Sequence, residues 1–142
     1  MPDANRAFID TNILIYAYST NERRKSDAAV RVFDEFDCLI STQIIGEFCN
    51  VCLRKLRLPA ACIRAAVEEI LAVCDVFIVE ETFAYEALDI QRRYGFSYYD
   101  SAVVAAAVKN HCAYLLSEDL QDGQIIGGTV VKNPFVPHFS FL

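Results

Sequence analysis

Ala7-Phe8-Ile9-Asp10-Thr11-Asn12 is the stretch that decides the fold. Its three apolar residues read as a short strand buried on both faces, the kind found inside parallel sheets. Asp10 closes the run and marks the strand's carboxyl end. A carboxylate so close to the core is costly unless something compensates its charge.

Working outward, the same grammar repeats. Asn12 is placed to cap a brief helix through Tyr18, and Asn21 to Lys25 reads as a polar turn. Ala28, Ala29, Val32, Phe33 and Phe36 recur at helical spacing. Cys38 to Ser41 is a second strand, and Thr42 reads as the N-cap of a helix reaching about Arg57. Pro59 suits the first turn of the next helix, which runs toward Cys74. Asp75 to Val79 is a third strand. Thr82 opens a helix that Gly95 stops, and Ser97 begins another whose segment Ala102 to Val108 is apolar nearly all round. Ala113 to Ser117 and Thr129 to Lys132 complete a set of about five strands.

Short apolar strands alternating with helices predict an α/β fold with a central, mainly parallel sheet covered on both faces. No linker or repeat interrupts residues 1–142, which read as one domain. In such folds ligand sites collect beyond the carboxyl ends of the strands. Asp10 and Asp119 follow predicted strands, while Glu47 and Asp100 lie in early turns of helices that follow loops. The topology therefore predicts that all four acids gather at one edge.

Composition narrows the alternatives. Of 142 residues, 54% are hydrophobic and 23% charged, which describes a globular chain and excludes disorder. No apolar run is long enough for a membrane span, and the N-terminus lacks the layout of a secretory signal, so a cytoplasmic protein is expected. The net charge of −6 argues against a generally basic nucleic-acid surface. Local basic clusters remain at Arg23-Arg24-Lys25, at Arg54-Lys55 with Arg57, and at Arg92-Arg93. The six cysteines include one C-x-x-C, Cys49 and Cys52, inside a helical pattern. They read as small buried hydrophobes in a reducing compartment, because a zinc site would need four placed ligands.

Each acid has an ordinary account. Asp10 could cap the following turn. Glu47 shares a polar stripe with Gln43, Asn50 and Arg54. Ser97-x-x-Asp100 looks like a capping box, and Asp119 sits among turn-forming acids. It is the set that carries information. A divalent ion would compensate clustered acids and would bring metal-assisted chemistry on a phosphate ester.

At this point the residues resemble a known family. Phe8-Ile9-Asp10-Thr11-Asn12 is similar to the opening motif of PIN-domain nucleases. Ile45-Gly46-Glu47-Phe48, Tyr98-Tyr99-Asp100-Ser101-Ala102 and Leu116-Ser117-Glu118-Asp119-Leu120 are similar to its other acidic positions. The ending Val130-Val131-Lys132-Asn133-Pro134-Phe135 looks like the close of bacterial VapC-type toxins. The resemblance covers nearly the whole chain, and none of the family's acidic positions is missing.

The resemblance implies a three-layer α/β/α sandwich and an endoribonuclease dependent on Mg²⁺ or Mn²⁺. It also implies a homodimer and inhibition by a cognate antitoxin. Asp10 and Asp100 are then the expected direct metal ligands, with Asp119 next and Glu47 holding a metal-bound water or a second ion. Asn12 and Ser117 orient the carboxylates from behind, and Asp122 is a further candidate for that role. Three rival readings stand beside this one: an aspartyl-phosphate protein, a non-catalytic partner-binding module, and a housekeeping RNA-processing nuclease of the same family. The first lacks a second acid at the place of Asn12.

Overall fold

A computed structural model describes residues 3–141. Six strands and six helices follow one another in the order β1 (Asp3–Ile9), α1 (Thr11–Ala17), α2 (Arg23–Glu35), β2 (Asp37–Ser41), α3 (Thr42–Arg54), α4 (Ala60–Val73), β3 (Cys74–Phe77), α5 (Phe83–Tyr94), α6 (Tyr98–Lys109), β4 (Cys112–Leu116), β5 (Ile125–Ile126) and β6 (Thr129–Lys132). The sheet order is β3-β2-β1-β4-β6-β5. Every pairing is parallel except that of β5 with β6.

The order explains the layers. The chain moves outward from β1 to β2 to β3, then crosses back to β4 on the other side of β1. Right-handed crossovers put the helices of outward and returning connections on opposite faces. Accordingly α1 packs on α2 and α3, and α3 packs on α4, while α5 packs on α6 and α6 lies against β1 and β4. The core between these layers holds Phe8, Ile9, Leu39, Ile40, Leu115 and Leu116, all fully buried. Ser101 to Ala107 are buried along α6, as its apolar circumference predicts.

Several boundaries differ from the sequence reading, each for a local reason. Asp10, not Asn12, caps α1, and Ser41, not Thr42, caps α3 through a hydrogen bond from the Ile44 N–H. Thr42 instead accepts a bond from the Val79 N–H. Pro59 is the N-cap of α4, one place before the first turn. The expected polar turn at Asn21 to Lys25 is half helix: α2 begins at Arg23, whose run of Arg and Lys has good helix propensity. β5 is a sixth strand of two residues, too short to carry a periodic signal.

The cysteines form no disulfide; Cys38, Cys52, Cys74 and Cys112 are buried, but Cys62 is exposed, contrary to expectation. No helix among the described residues is long and apolar enough to cross a membrane.

Candidate active site

β1 and β4 are neighbours in the sheet although their connections leave in opposite directions, so a crevice opens between their carboxyl ends. Asp10 stands in it. Its N–H reaches the Leu116 carbonyl at 3.0 Å, which ties the end of β1 to the end of β4. Its Oδ1 accepts from the Thr11 N–H at 2.8 Å, and its Oδ2 accepts from Ser117 Oγ at 2.7 Å. The residue is only 6% exposed. Burial pushes its carboxyl up to about 6. The Ser117 and Thr11 bonds pull it back, and the charges of Glu47 and Asp119 push it further up.

Two further acids are tied to this centre through neutral side chains. Asn12 Nδ2 donates to Asp119 at 3.0 Å and lies 3.5 Å from Asp10 Oδ2. Its own carbonyl accepts from the Glu118 N–H at 3.3 Å. Ser117 Oγ also accepts from the Asp119 N–H at 3.1 Å, so one buried hydroxyl braces both acids. Glu47, in the second turn of α3, accepts from Thr11 Oγ1 at 2.9 Å and from Gln43 Nε2 at 2.7 Å. None of these three carboxylates has an ion-pair partner among the described residues.

Asp100 reaches the same edge by another route. α6 leads into β4, so its first turn lies at the carboxyl ends of the strands. Ser97 Oγ accepts from the Asp100 N–H at 3.2 Å, and no side-chain bond ties the Asp100 carboxylate to the other acids. Ser101 beside it is fully buried, with a hydroxyl that finds no partner among the described residues.

Asp122 faces elsewhere. Its oxygens accept from the Asn133 N–H at 2.8 Å and meet His138 Nε2 at 3.0 Å, which fastens the C-terminal segment to the loop. Those bonds, the Asn133 one foremost, hold its carboxyl below the usual range.

Sequence reading missed the cluster behind the loop. Glu118 is bonded to Lys25 and, at 2.9 Å, to Tyr16 Oη. Lys25 also lies 4.7 Å from the centre of the Tyr16 ring. The signal was present in Ser117-Glu118-Asp119, but the partner, read as part of a turn, sits 93 residues away.

Hard oxygen donors, a carboxylate pushed upward by burial and then by like charges, and no ion-pair partner among the described residues suit Mg²⁺ or Mn²⁺. The described residues contain no group of three acids, histidines or cysteines closed tightly enough to cage an ion. Mg²⁺ commonly binds through one or two carboxylates and keeps its waters, so an open set of donors fits it.

The family model of the PIN domain matches residues 7–121. The chain belongs to the PIN-domain family. No curated protein matches this PIN domain. Among solved structures it is similar to VapC20 of Mycobacterium tuberculosis, described as a sarcin-ricin-loop-cleaving toxin. That match has 20% identity and a TM-score of 0.65 over 80% of this chain and 91% of the other. A toxin–antitoxin complex from Klebsiella pneumoniae matches with 20% identity and a TM-score of 0.67, covering 90% and 97%. VapBC2 of Rickettsia felis, bound to a promoter DNA fragment, matches with 13% identity and a TM-score of 0.65, covering 90% and 98%. At such identities the likeness concerns the fold, and it agrees with the three-layer architecture expected from sequence.

Proposed function

We propose that this PIN domain is a metal-dependent endoribonuclease, the toxin of a type II toxin–antitoxin system, acting in the cytoplasm as one domain over residues 1–142. The observation that carries the reading is the charge of the centre. Asp10, Glu47 and Asp119 sit together held only by neutral donors, with Asp100 at the same edge. A Mg²⁺ or Mn²⁺ ion held there would lower the pKa of a coordinated water and offset charge on the scissile phosphate.

Asp10, Asp100 and Asp119 are the proposed ligands, and Glu47 orients a water or second ion beside them. Ser117 and Asn12 keep the carboxylates aimed, since each bonds a ligand acid through a side chain held in place by its own backbone contacts. Thr11 and Gln43 do the same for Glu47. An antitoxin partner is supported by the complexes among the structural relatives. A homodimer is proposed on the family resemblance. A housekeeping RNA-processing role is the second reading within the family, and an antitoxin gene next to this one would decide against it.

Cleavage of several structured and unstructured RNAs in Mg²⁺, Mn²⁺ and EDTA tests the proposal. Asp10→Asn should reduce the rate by a factor on the order of 10²–10³ with the fold intact. Undiminished cleavage by rigorously purified Asp10→Asn protein would sink it.

A further inference from the structure

The segment Arg92-Arg93-Tyr94-Gly95-Phe96-Ser97-Tyr98-Tyr99-Asp100 interleaves cations and aromatic rings up to a site acid. α5 stops at Tyr94 because Gly95 takes the left-handed conformation, φ 76°. Ser97 then caps α6, whose first three residues are Tyr98, Tyr99 and Asp100. The corner thus lies at the edge of the sheet where the strands' carboxyl ends are, next to Asp100 in sequence.

Two of those rings are open to solvent: Tyr99 is 65% exposed and Tyr98 39%. They meet edge to face, with centroids 5.3 Å apart, so the face of one ring stays uncovered by the other. Behind them Tyr94 and Phe96 stack at 5.8 Å and 13°. The Arg93 guanidinium lies 5.5 Å from the Tyr94 ring centre. Arg92 and Arg93 are exposed and, like Arg23, Arg24, Arg54, Lys55, Arg57 and Lys132, have no carboxylate partner among the described residues. In a chain of net charge −6, an unpaired arginine pair beside an acidic centre calls for an anionic partner.

Exposed rings with adjacent unpaired guanidinium groups match the chemistry of single-stranded nucleic acid, whose bases stack on aromatic side chains while phosphates meet arginines. Duplex RNA fits poorly, since its base faces are already stacked on one another. A second copy of the chain centred on this corner would set the arginine pair against itself, because a two-fold contact is self-complementary.

We propose that Tyr98 and Tyr99, with Arg92 and Arg93, form a platform for unpaired bases of the RNA substrate and deliver the adjoining phosphate to the Asp100 edge. This inference rests on the nuclease reading above and adds a preference for single-stranded segments.

The test measures binding of a labelled oligoribonucleotide, single-stranded or as a duplex, to Asp10→Asn protein in Mg²⁺ at several salt concentrations. The same protein carries Tyr99→Ala, Tyr99→Phe, Tyr98→Ala/Tyr99→Ala, or Arg92→Ala/Arg93→Ala. Sedimentation and thermal unfolding are followed for each variant. The parent should prefer the single strand. Tyr99→Ala should weaken binding by about 5- to 100-fold, while Tyr99→Phe retains it, as stacking requires. The arginine double variant should reduce the slope of log affinity against log salt by about 1.4. Unchanged single-strand affinity in Tyr98→Ala/Tyr99→Ala overturns the platform while leaving the nuclease reading standing. A change of oligomeric state with unchanged RNA affinity assigns the corner to a protein interface and also overturns it. If the protein with Asp10 intact cleaves no RNA and the Asp10→Asn protein binds none, both readings fall together.

Discussion

The two ends of the sheet treat acidic residues in opposite ways. At the amino ends of the strands, Arg6 lies between Asp37 at 3.1 Å and Asp75 at 3.2 Å, so three neighbouring strands bring their charges together already balanced. At the carboxyl ends, Asp10, Glu47 and Asp119 are met by Ser117, Thr11, Gln43 and Asn12, which donate hydrogen bonds but bring no charge. The first arrangement is complete in itself. The second gathers negative charge with no ion-pair partner against it among the described residues.

The largest expected effect attacks the unbalanced end. The Asp10 carboxyl, at about 6, lies above its ordinary 3.8, so burial favours the protonated form. That contribution is complete below about pH 4 and is lost as the pH rises through 6. Asn cannot ionise and still caps a helix. Asp10→Asn should therefore be more stable than the parent in EDTA at about pH 8, by up to about 3 kcal/mol. The advantage should vanish near pH 4, as urea unfolding at the two pH values would show. A destabilised variant at pH 8 would mean that the centre is balanced after all, and the contrast between the two ends would fail.

Ser117→Ala sharpens the comparison. Its hydroxyl bonds Asp10 and accepts from the Asp119 N–H, and the bond to Asp10 holds that carboxyl down. Its loss should cost about 1–3 kcal/mol and raise the Asp10 pKa further. RNA cleavage should fall about 10- to 100-fold, and added Mg²⁺ should recover part of it. A loss of stability with normal cleavage would confine Ser117 to a packing role.

Lys25→Ala probes a cation near the loop. Lys25 pairs with Glu118, not with a proposed ligand. Stability should fall by about 1 kcal/mol in chemical denaturation, since the pair is part-buried. Cleavage should fall only several-fold, because Asn12 still holds the loop through Asp119 and the Glu118 N–H. The smallest effect belongs to Arg6→Ala: about 1 kcal/mol or less in stability, given that the Asp37 and Asp75 side chains are 48% and 66% exposed, and no change in cleavage. A cleavage defect there would show that the two ends are coupled.

Much of this was legible beforehand. The apolar run before Asp10, the all-round apolar α6 and the turn residues before β6 report burial and chain direction, which are local properties. The gathering of Asp10, Asp119 and Glu47 follows from topology. What joins them was not legible. Thr11 and Glu47 are 36 residues apart, and Asn12 and Asp119 are 107 apart, and a hydrogen bond from a neutral side chain to a carboxylate leaves no periodic trace. Lys25 was hidden because three basic residues in a row suggest a solvated turn, whereas one of them is folded in against Tyr16 and Glu118. Asp122 is the reverse case. Its place in an acidic loop suggested the centre, yet its partners Asn133 and His138 belong to a segment whose path only the fold determines.

β1 pairs with β4 across more than two-thirds of the chain: Ala7 with Tyr114, Phe8 with Leu115 and Ile9 with Leu116. During synthesis the N-terminal strands emerge first, and contacts so far apart in sequence form late. Until β4 has left the ribosome, Asp10 has neither Ser117 to hold it nor Asp119 beside it. The loop carrying those residues is in turn tied to β6, through the Ser117 N–H and the Lys132 carbonyl. In a protein proposed to cut RNA, the acids are thus brought together only after β4 and β6 have both left the ribosome.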